Sequence, residues 1–81
     1  MRETVTFVFT GRFDTASFAE FARHRAARLS LDAEPPDLRP DRVRVTVSGQ
    51  PDLVDAFEMA CSLGPIDCLV ADIVRYVGGS A

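Results

Sequence analysis

Residues 11–31, GRFDTASFAEFARHRAARLSL, decide how the rest of this chain is read. Gly11 closes an extended segment, and Arg12-Phe13-Asp14-Thr15-Ala16 reads as a loop. An amphipathic helix is predicted from about Phe18 to Leu29. Ser17 and Glu20 stand in an S-x-x-E capping box, the Ser hydroxyl accepting from the third helical amide and Glu20 reaching back. Phe18, Phe21, Ala22, Ala26 and Leu29 then recur at three- and four-residue steps, which places them on one stripe of a 3.6-residue helix. The stem of Arg25 is an alternative to Ala26 on that stripe. Arg23, His24, Arg25 and Arg28 mostly fall off it, and cations near a helix C-terminus also complement the macrodipole.

The flanking segments set the topology. Thr4–Thr10, TVTFVFT, alternates Val5, Phe7 and Phe9 with Thr4, Thr6, Val8 and Thr10, which predicts a strand with one buried face. Residues 32–41, DAEPPDLRPD, carry three prolines and allow at most a short edge strand around Ala33–Leu38. Arg42–Ser48, RVRVTVS, is the clearest strand, with Val43, Val45 and Val47 facing one way. Gly49-Gln50-Pro51 turns into a second helix, Pro51 suiting its first position and Asp52 its first turn. Val54, Phe57 and Cys61 form its stripe, with Leu53 and Ala60 beside them, while Asp55 and Glu58 point outward. Gly64-Pro65 stops it. A last strand spans about Asp67 to Val77, with Cys68, Val70 and Asp72 on one side and Leu69, Ala71, Ile73 and Arg75 on the other. The Gly78–Ala81 tail is expected to fray. The order β-α-β-β-α-β predicts an α+β, ferredoxin-like sandwich: a four-stranded antiparallel sheet with two helices on one face.

At 81 residues, 1–81 is read as a single domain, and 47% apolar composition supports a modest core. No apolar run approaches the ~20 residues of a membrane span. Residues 1–3 followed by alternation do not read as a signal peptide, so a cytoplasmic location is expected. Cys61 and Cys68 fit that compartment as reduced thiols. The cations are all Arg. Eight of the nine lie in residues 1–44 among seven acids, and Arg75 stands against five acids in 45–81. Even the Arg-rich half is near neutral, so no nucleic-acid footprint is expected.

With the elements in this order, the chain resembles the acylphosphatases. Gly11-Arg12-Phe13 followed by Phe18 looks like the family's G-[KR]-V-Q-G-V-x-F-R signature. Val43–Gly49 looks like its third strand, and the run from Gly49 through Phe57 to Cys61 and Gly64-Pro65 is similar to its second helix. The overlay runs from Gly11 to Pro65 without a gap. The resemblance implies an anion-binding loop of Gly11, Arg12, Phe13, Asp14, Thr15, Ala16 and Ser17, whose amides cradle a phosphate in the family. The family's phosphate-binding Arg falls on Ala19, and its water-positioning Asn on Asp37. Thr15 replaces the second signature Gly and Asp14 the Gln before it. Ala19 lacks the bidentate anion contact of Arg, the two Asp place carboxylates near an anion, and Thr15 makes positive φ costly. Arg12 or Arg23 is the candidate substitute ligand. The expectation is an acylphosphatase-like domain without the hydrolysis, acting by protein contact or weak ligand binding; the alternative is a divergent acylphosphatase acting on carboxyl-phosphate anhydrides.

Other constellations point to solvated surface. His24 is a lone helix-surface histidine. Asp14, Asp37 and Asp41 sit among Arg in loops rather than in a metal-ligand pattern, and no cofactor or metal is expected. The uncovered sheet face, Thr4, Thr6, Val8, Thr10 with Arg42, Arg44, Thr46 and Ser48, lacks the stacking rings of an RNA-binding sheet. That face is read either as bare, solvated sheet or as the surface for a homodimer or a protein partner, with no nucleic acid or membrane contact expected.

Overall fold

The structure, a computed structural model, describes residues 2–78. Strand β1 (Glu3–Arg12) lies in the middle of the sheet. Its antiparallel neighbours are β4 (Arg42–Gly49) and β5 (Leu69–Val77). Val5, Phe7 and Phe9 stand opposite Val47, Val45 and Val43, and all six are buried. Two helices, α1 (Thr15–Arg28) and α2 (Pro51–Leu63), cover that face. They bring Phe18, Ala22 and Ala26 from the first and Val54, Phe57 and Cys61 from the second. The result is the expected ferredoxin-like α+β sandwich.

Three local features differ from the sequence reading. The short strand expected around Ala33–Leu38 is two pieces, β2 (Asp32–Ala33) and β3 (Asp37–Arg39), each paired with β4. Pro35 and Pro36 cannot donate to a ladder, so pairing breaks between the two pieces. The last strand starts at Leu69 rather than Asp67, and its alternation slips. Thr10 faces Asp72 but Gly11 faces Val70, leaving Ala71 as the extra residue of a bulge. Val70 and Ile73 therefore both pack on the core instead of pointing to opposite faces. Helix α1 starts at Thr15, earlier than Phe18, because Asp14 rather than Ser17 caps it. The expected fraying of the tail lies, from Gly79 on, outside the described residues.

The bulge also turns Arg75 toward the helices. Its guanidinium lies 5.4 Å from the centre of the Phe7 ring and donates to Asp55 at 2.9 Å and Glu58 at 2.8 Å, with Glu3 3.7 Å away. Burial opposes its charge, but the bonds to Asp55 and Glu58 outweigh this and hold the guanidinium above its ordinary range. Asp55 and Glu58, read as outward residues of α2, thus tie it to β5 across the rim of the core. At the other end α1 stops in a Schellman turn: Ser30 N donates to Ala27 O and Leu31 N to Ala26 O, with Ser30 at φ 56°.

Both cysteines are free thiols. Cys61 is fully buried, and burial pushes its thiol up to about 12 from an ordinary 9.0. A thiol raised on folding keeps its proton in the native state while the unfolded chain loses it, so stability is full below pH 9 and falls as pH rises toward 12. Each unit of that gap corresponds to about 1.4 kcal/mol. The expected result is an alkaline decline in urea midpoint above pH 9 that is markedly shallower in Cys61→Ala, where only the raised Cys68 thiol remains. Equal slopes in the two proteins would show that Cys61 is not the titrating group. Cys68, only partly buried, should react with a thiol reagent before Cys61 does.

Candidate functional site

At the junction of β1 and α1 the loop leads into a helix N-terminus, the kind of end that presents unpaired amides and a positive dipole. Gly11 sits at the bulge with φ 155°, and a Cβ there would lie 2.0 Å from the carbonyl oxygen of Leu69. Only glycine fits so close to β5. The loop is then fastened to the β3–β4 turn: Gly11 N donates to Asp41 O at 3.2 Å and Phe13 N to Pro40 O at 2.8 Å. Phe13 is buried against Phe18, ring centres 5.0 Å apart and edge to face. These are the residues just before the cap and at the fourth helical position, the two halves of a hydrophobic staple.

The cap itself is Asp14, not Ser17. Its Oδ1 accepts from Ser17 N at 3.0 Å, and its carbonyl accepts from Phe18 N at 2.9 Å. An Asp cap satisfies the first-turn amide and brings a negative charge to the positive end of the helix, an effect of about 1 kcal/mol. It starts the helix three residues earlier than a Ser17 cap would. Ser17, freed from capping, donates its hydroxyl to Asp67 Oδ1 at 2.8 Å. Cys68 Sγ points to the Asp14 carbonyl at 3.7 Å and to Asp67 at 3.8 Å. Burial first, then the neighbouring carboxylates, hold that thiol above its ordinary range, against the pull of the Asp14 carbonyl bond. It is not an activated nucleophile. The amides of Gly11, Phe13, Ser17 and Phe18 are all engaged by the chain's own oxygens, with two carboxylates at the helix mouth.

One turn along α1, a groove of about 380 Å³ runs between the helix and the Ala33–Pro36 segment. Ala19, Ala22 and Arg23 form one wall, Pro35 and Pro36 the other, and Val45 reaches it from β4. That volume is at the lower end of small-molecule pockets. Glu34 N donates to Thr46 O at 3.0 Å, which pins the proline wall to β4. Glu20 and Glu34 set two carboxylates against the single guanidinium of Arg23.

The sequence-predicted residues divide accordingly. Ala19 and Arg23 share the groove, as expected for residues one turn apart. Asp37 is in β3, opposite Arg44 and 3.9 Å from Arg39, and is not among the groove-lining residues. Arg12 is exposed at the end of β1 and makes no ion pair among the described residues. Thr15 and Ala16 are the first residues of α1 itself, not loop. His24 is exposed, 3.2 Å from the Arg23 guanidinium. Among the described residues no cluster of His, Cys, Asp and Glu could hold a metal ion. The partners that sequence reading missed are Asp67, which meets Ser17, and the Pro35-Pro36 wall. The paired prolines gave a signal for the wall, since they hold an extended backbone. Nothing local to Asp67 marked it.

No protein-family model matches the chain, and no curated protein does. Solved structures do. The acylphosphatase of Bacillus subtilis superposes with a TM-score of 0.86 at 21% identity, over 100% of this chain and 89% of that one. The acylphosphatase of Coxiella burnetii gives 0.85 at 18% identity, over 94% and 80%. A full-length HypF structure in a phosphate- and nucleotide-bound form gives 0.84 at 14% identity, over 95% of this chain and 10% of that one. A ferredoxin-like α+β sandwich is the class these elements define. Within it, the chain has an acylphosphatase-like fold.

Proposed function

We propose that this chain is an acylphosphatase-like domain that does not hydrolyse acyl phosphates and works by contact, with the groove beside Ala19 as its seat for a small ligand or partner segment. The observation that carries this reading is the Asp14 carboxylate on the first-turn amide of α1, with Asp67 next to it. A phosphate approaching that helix end would meet two like charges and an amide already bonded. Coulomb repulsion at ~4 Å is about 1 kcal/mol in water and about 4 kcal/mol at a protein surface, enough to cancel the attraction of the helix end. Ala19 adds no cation, and the two groove carboxylates offset Arg23.

The test is hydrolysis of a simple aryl acyl phosphate by the natural chain and by Ala19→Arg/Asp37→Asn. The natural chain is expected to show no turnover above buffer. A gain of activity in the double variant would mean that only the chemistry is missing from an intact scaffold, whereas turnover by the natural chain would overturn the proposal. Arg23 favours one second reading, a divergent acylphosphatase, because it lines the same groove as Ala19. Under that reading Arg23→Ala would abolish turnover by the natural chain.

A further inference from the structure

All the large apolar side chains that are exposed among the described residues lie between Met59 and Val77. They belong to the second half of α2, the turn after it, and β5. Met59 is 72% exposed, Leu63 81% and Val77 65%. Apolar exposure scattered singly over a surface is ordinary, but gathered on one flank it marks a surface that is covered in use. Met59 lines the same shallow recess as Arg75, which places it beside β5, and Leu63 follows one turn on.

That flank is also the free edge of the sheet. β5 ends the strand order, so among the described residues its outer amides and carbonyls have no neighbour. The opposite edge is unusable as a template. It consists of β2 and β3, which are two and three residues long and separated by Pro35-Pro36. Edge-to-edge growth therefore has one available edge, and pairing of that edge with itself is isologous and closes at two copies.

We propose that the chain forms a homodimer by antiparallel pairing of β5 with β5 of a second copy. A two-fold axis perpendicular to the sheet keeps the helices of both copies on one side, so paired residues must share a face. The Ala71 bulge limits the regular stretch to Asp72–Val77. Centring the axis on Asp72 would oppose two carboxylates, and centring it on Arg75 two guanidinium groups. An axis at Ile73 would pair the bulge residue Ala71 with Arg75. An axis at Val74 avoids all three. It sets Val74 on its own copy, Asp72 opposite Tyr76 with a carboxylate facing a phenol, and Ile73 opposite Arg75. Met59 and Leu63 then lie on the flank that the second copy approaches. This contact is on the β5 edge, not on the open Thr/Arg face, and it is independent of whether the α1 site turns over substrate.

Sedimentation across the micromolar range, with Val74→Lys, Val74→Cys and Arg44→Glu beside the natural chain, tests it. The natural chain should run at twice its 8.9 kDa. Val74→Lys should run at half that dimer mass with an unchanged circular dichroism spectrum, since Val74 is partly exposed on the uncovered face. Arg44→Glu, on the open face, should stay dimeric. Val74→Cys treated with oxidised glutathione, which takes the two electrons and leaves as reduced thiol, should form a 74–74 bridge, because paired residues have Cα atoms about 4.5–5.5 Å apart, within disulfide range. This arm does not depend on a disruptive variant folding. A natural chain that is monomeric throughout overturns the proposal. So does a dimer that survives Val74→Lys without the bridge, or one that Arg44→Glu dissolves.

Discussion

Phe7→Ala is expected to lower stability by about 3–5 kcal/mol. The ring sits fully buried at the crossing of the sheet and α2, 5.9 Å from Phe9 and 6.0 Å from Phe57 between ring centres. It also carries the Arg75 guanidinium on its face, so the truncation removes both a large apolar volume and a cation–π contact. Domains of this size have roughly 0.05–0.15 kcal/mol per residue, or about 4–12 kcal/mol in all. Loss of Phe7 therefore takes roughly a quarter or more of the total. The check is a urea titration beside His24→Ala, an exposed control on α1 expected to move within about 0.5 kcal/mol. If the two midpoints shift equally, Phe7 is not the centre of the core.

Gly11→Ala should be comparably severe for a different reason. The added methyl would stand 2.0 Å from the Leu69 carbonyl oxygen and 2.9 Å from the Ala71 amide nitrogen. Both obstacles are backbone, so no side chain can turn aside. Relief requires β5 to lift from β1 at the bulge, breaking the Gly11–Val70 and Arg12–Leu69 pairs. A cost of about 3 kcal/mol or more is expected. Hydrogen exchange should locate it: amides of Leu69 to Ala71 would exchange far faster, while the β1–β4 ladder keeps its protection. Unchanged protection at Leu69 to Ala71 would show that the bulge can widen without cost.

The strands with strict period two were legible because each has one buried face. Val5, Phe7 and Phe9, and Val43, Val45 and Val47, read as core and are core. The second helix was equally plain, since Pro51 and Gly64 mark its ends and both marks are local chemistry. The bulge at Ala71 was not legible, because β5 is an edge strand and its outer face carries Val74 and Tyr76 as well. Apolar residues on both faces erase the alternation that would have shown the slip. The cap was misplaced for a related reason. Asp14 and Ser17 are both good capping residues three positions apart, and the choice was decided by Phe13 finding Phe18 and by Asp67 arriving from beyond α2 to bind Ser17.

For the candidate site, sequence placed Ala19 and Arg23 on one face of a helix, and the groove contains both. It could not supply the opposite wall. Pro35 and Pro36 look like an interrupted strand, and their role emerges only when β4 holds the segment against α1. Nor did Thr15 and Ala16 read as helix, since that depends on which residue caps.

The central position of β1 has a consequence for how the molecule is made. Synthesis delivers β1 first, yet its two neighbours are β4 and β5, separated from it by a helix or more of chain. A growing chain that has reached α2 has one flank of β1 unpaired and Phe7 without its Arg75 cover. The sheet reaches its full width only when the residues from Leu69 on have left the ribosome. Until then, the strand that carries Val5, Phe7 and Phe9 into the core offers an open edge to whatever is nearby.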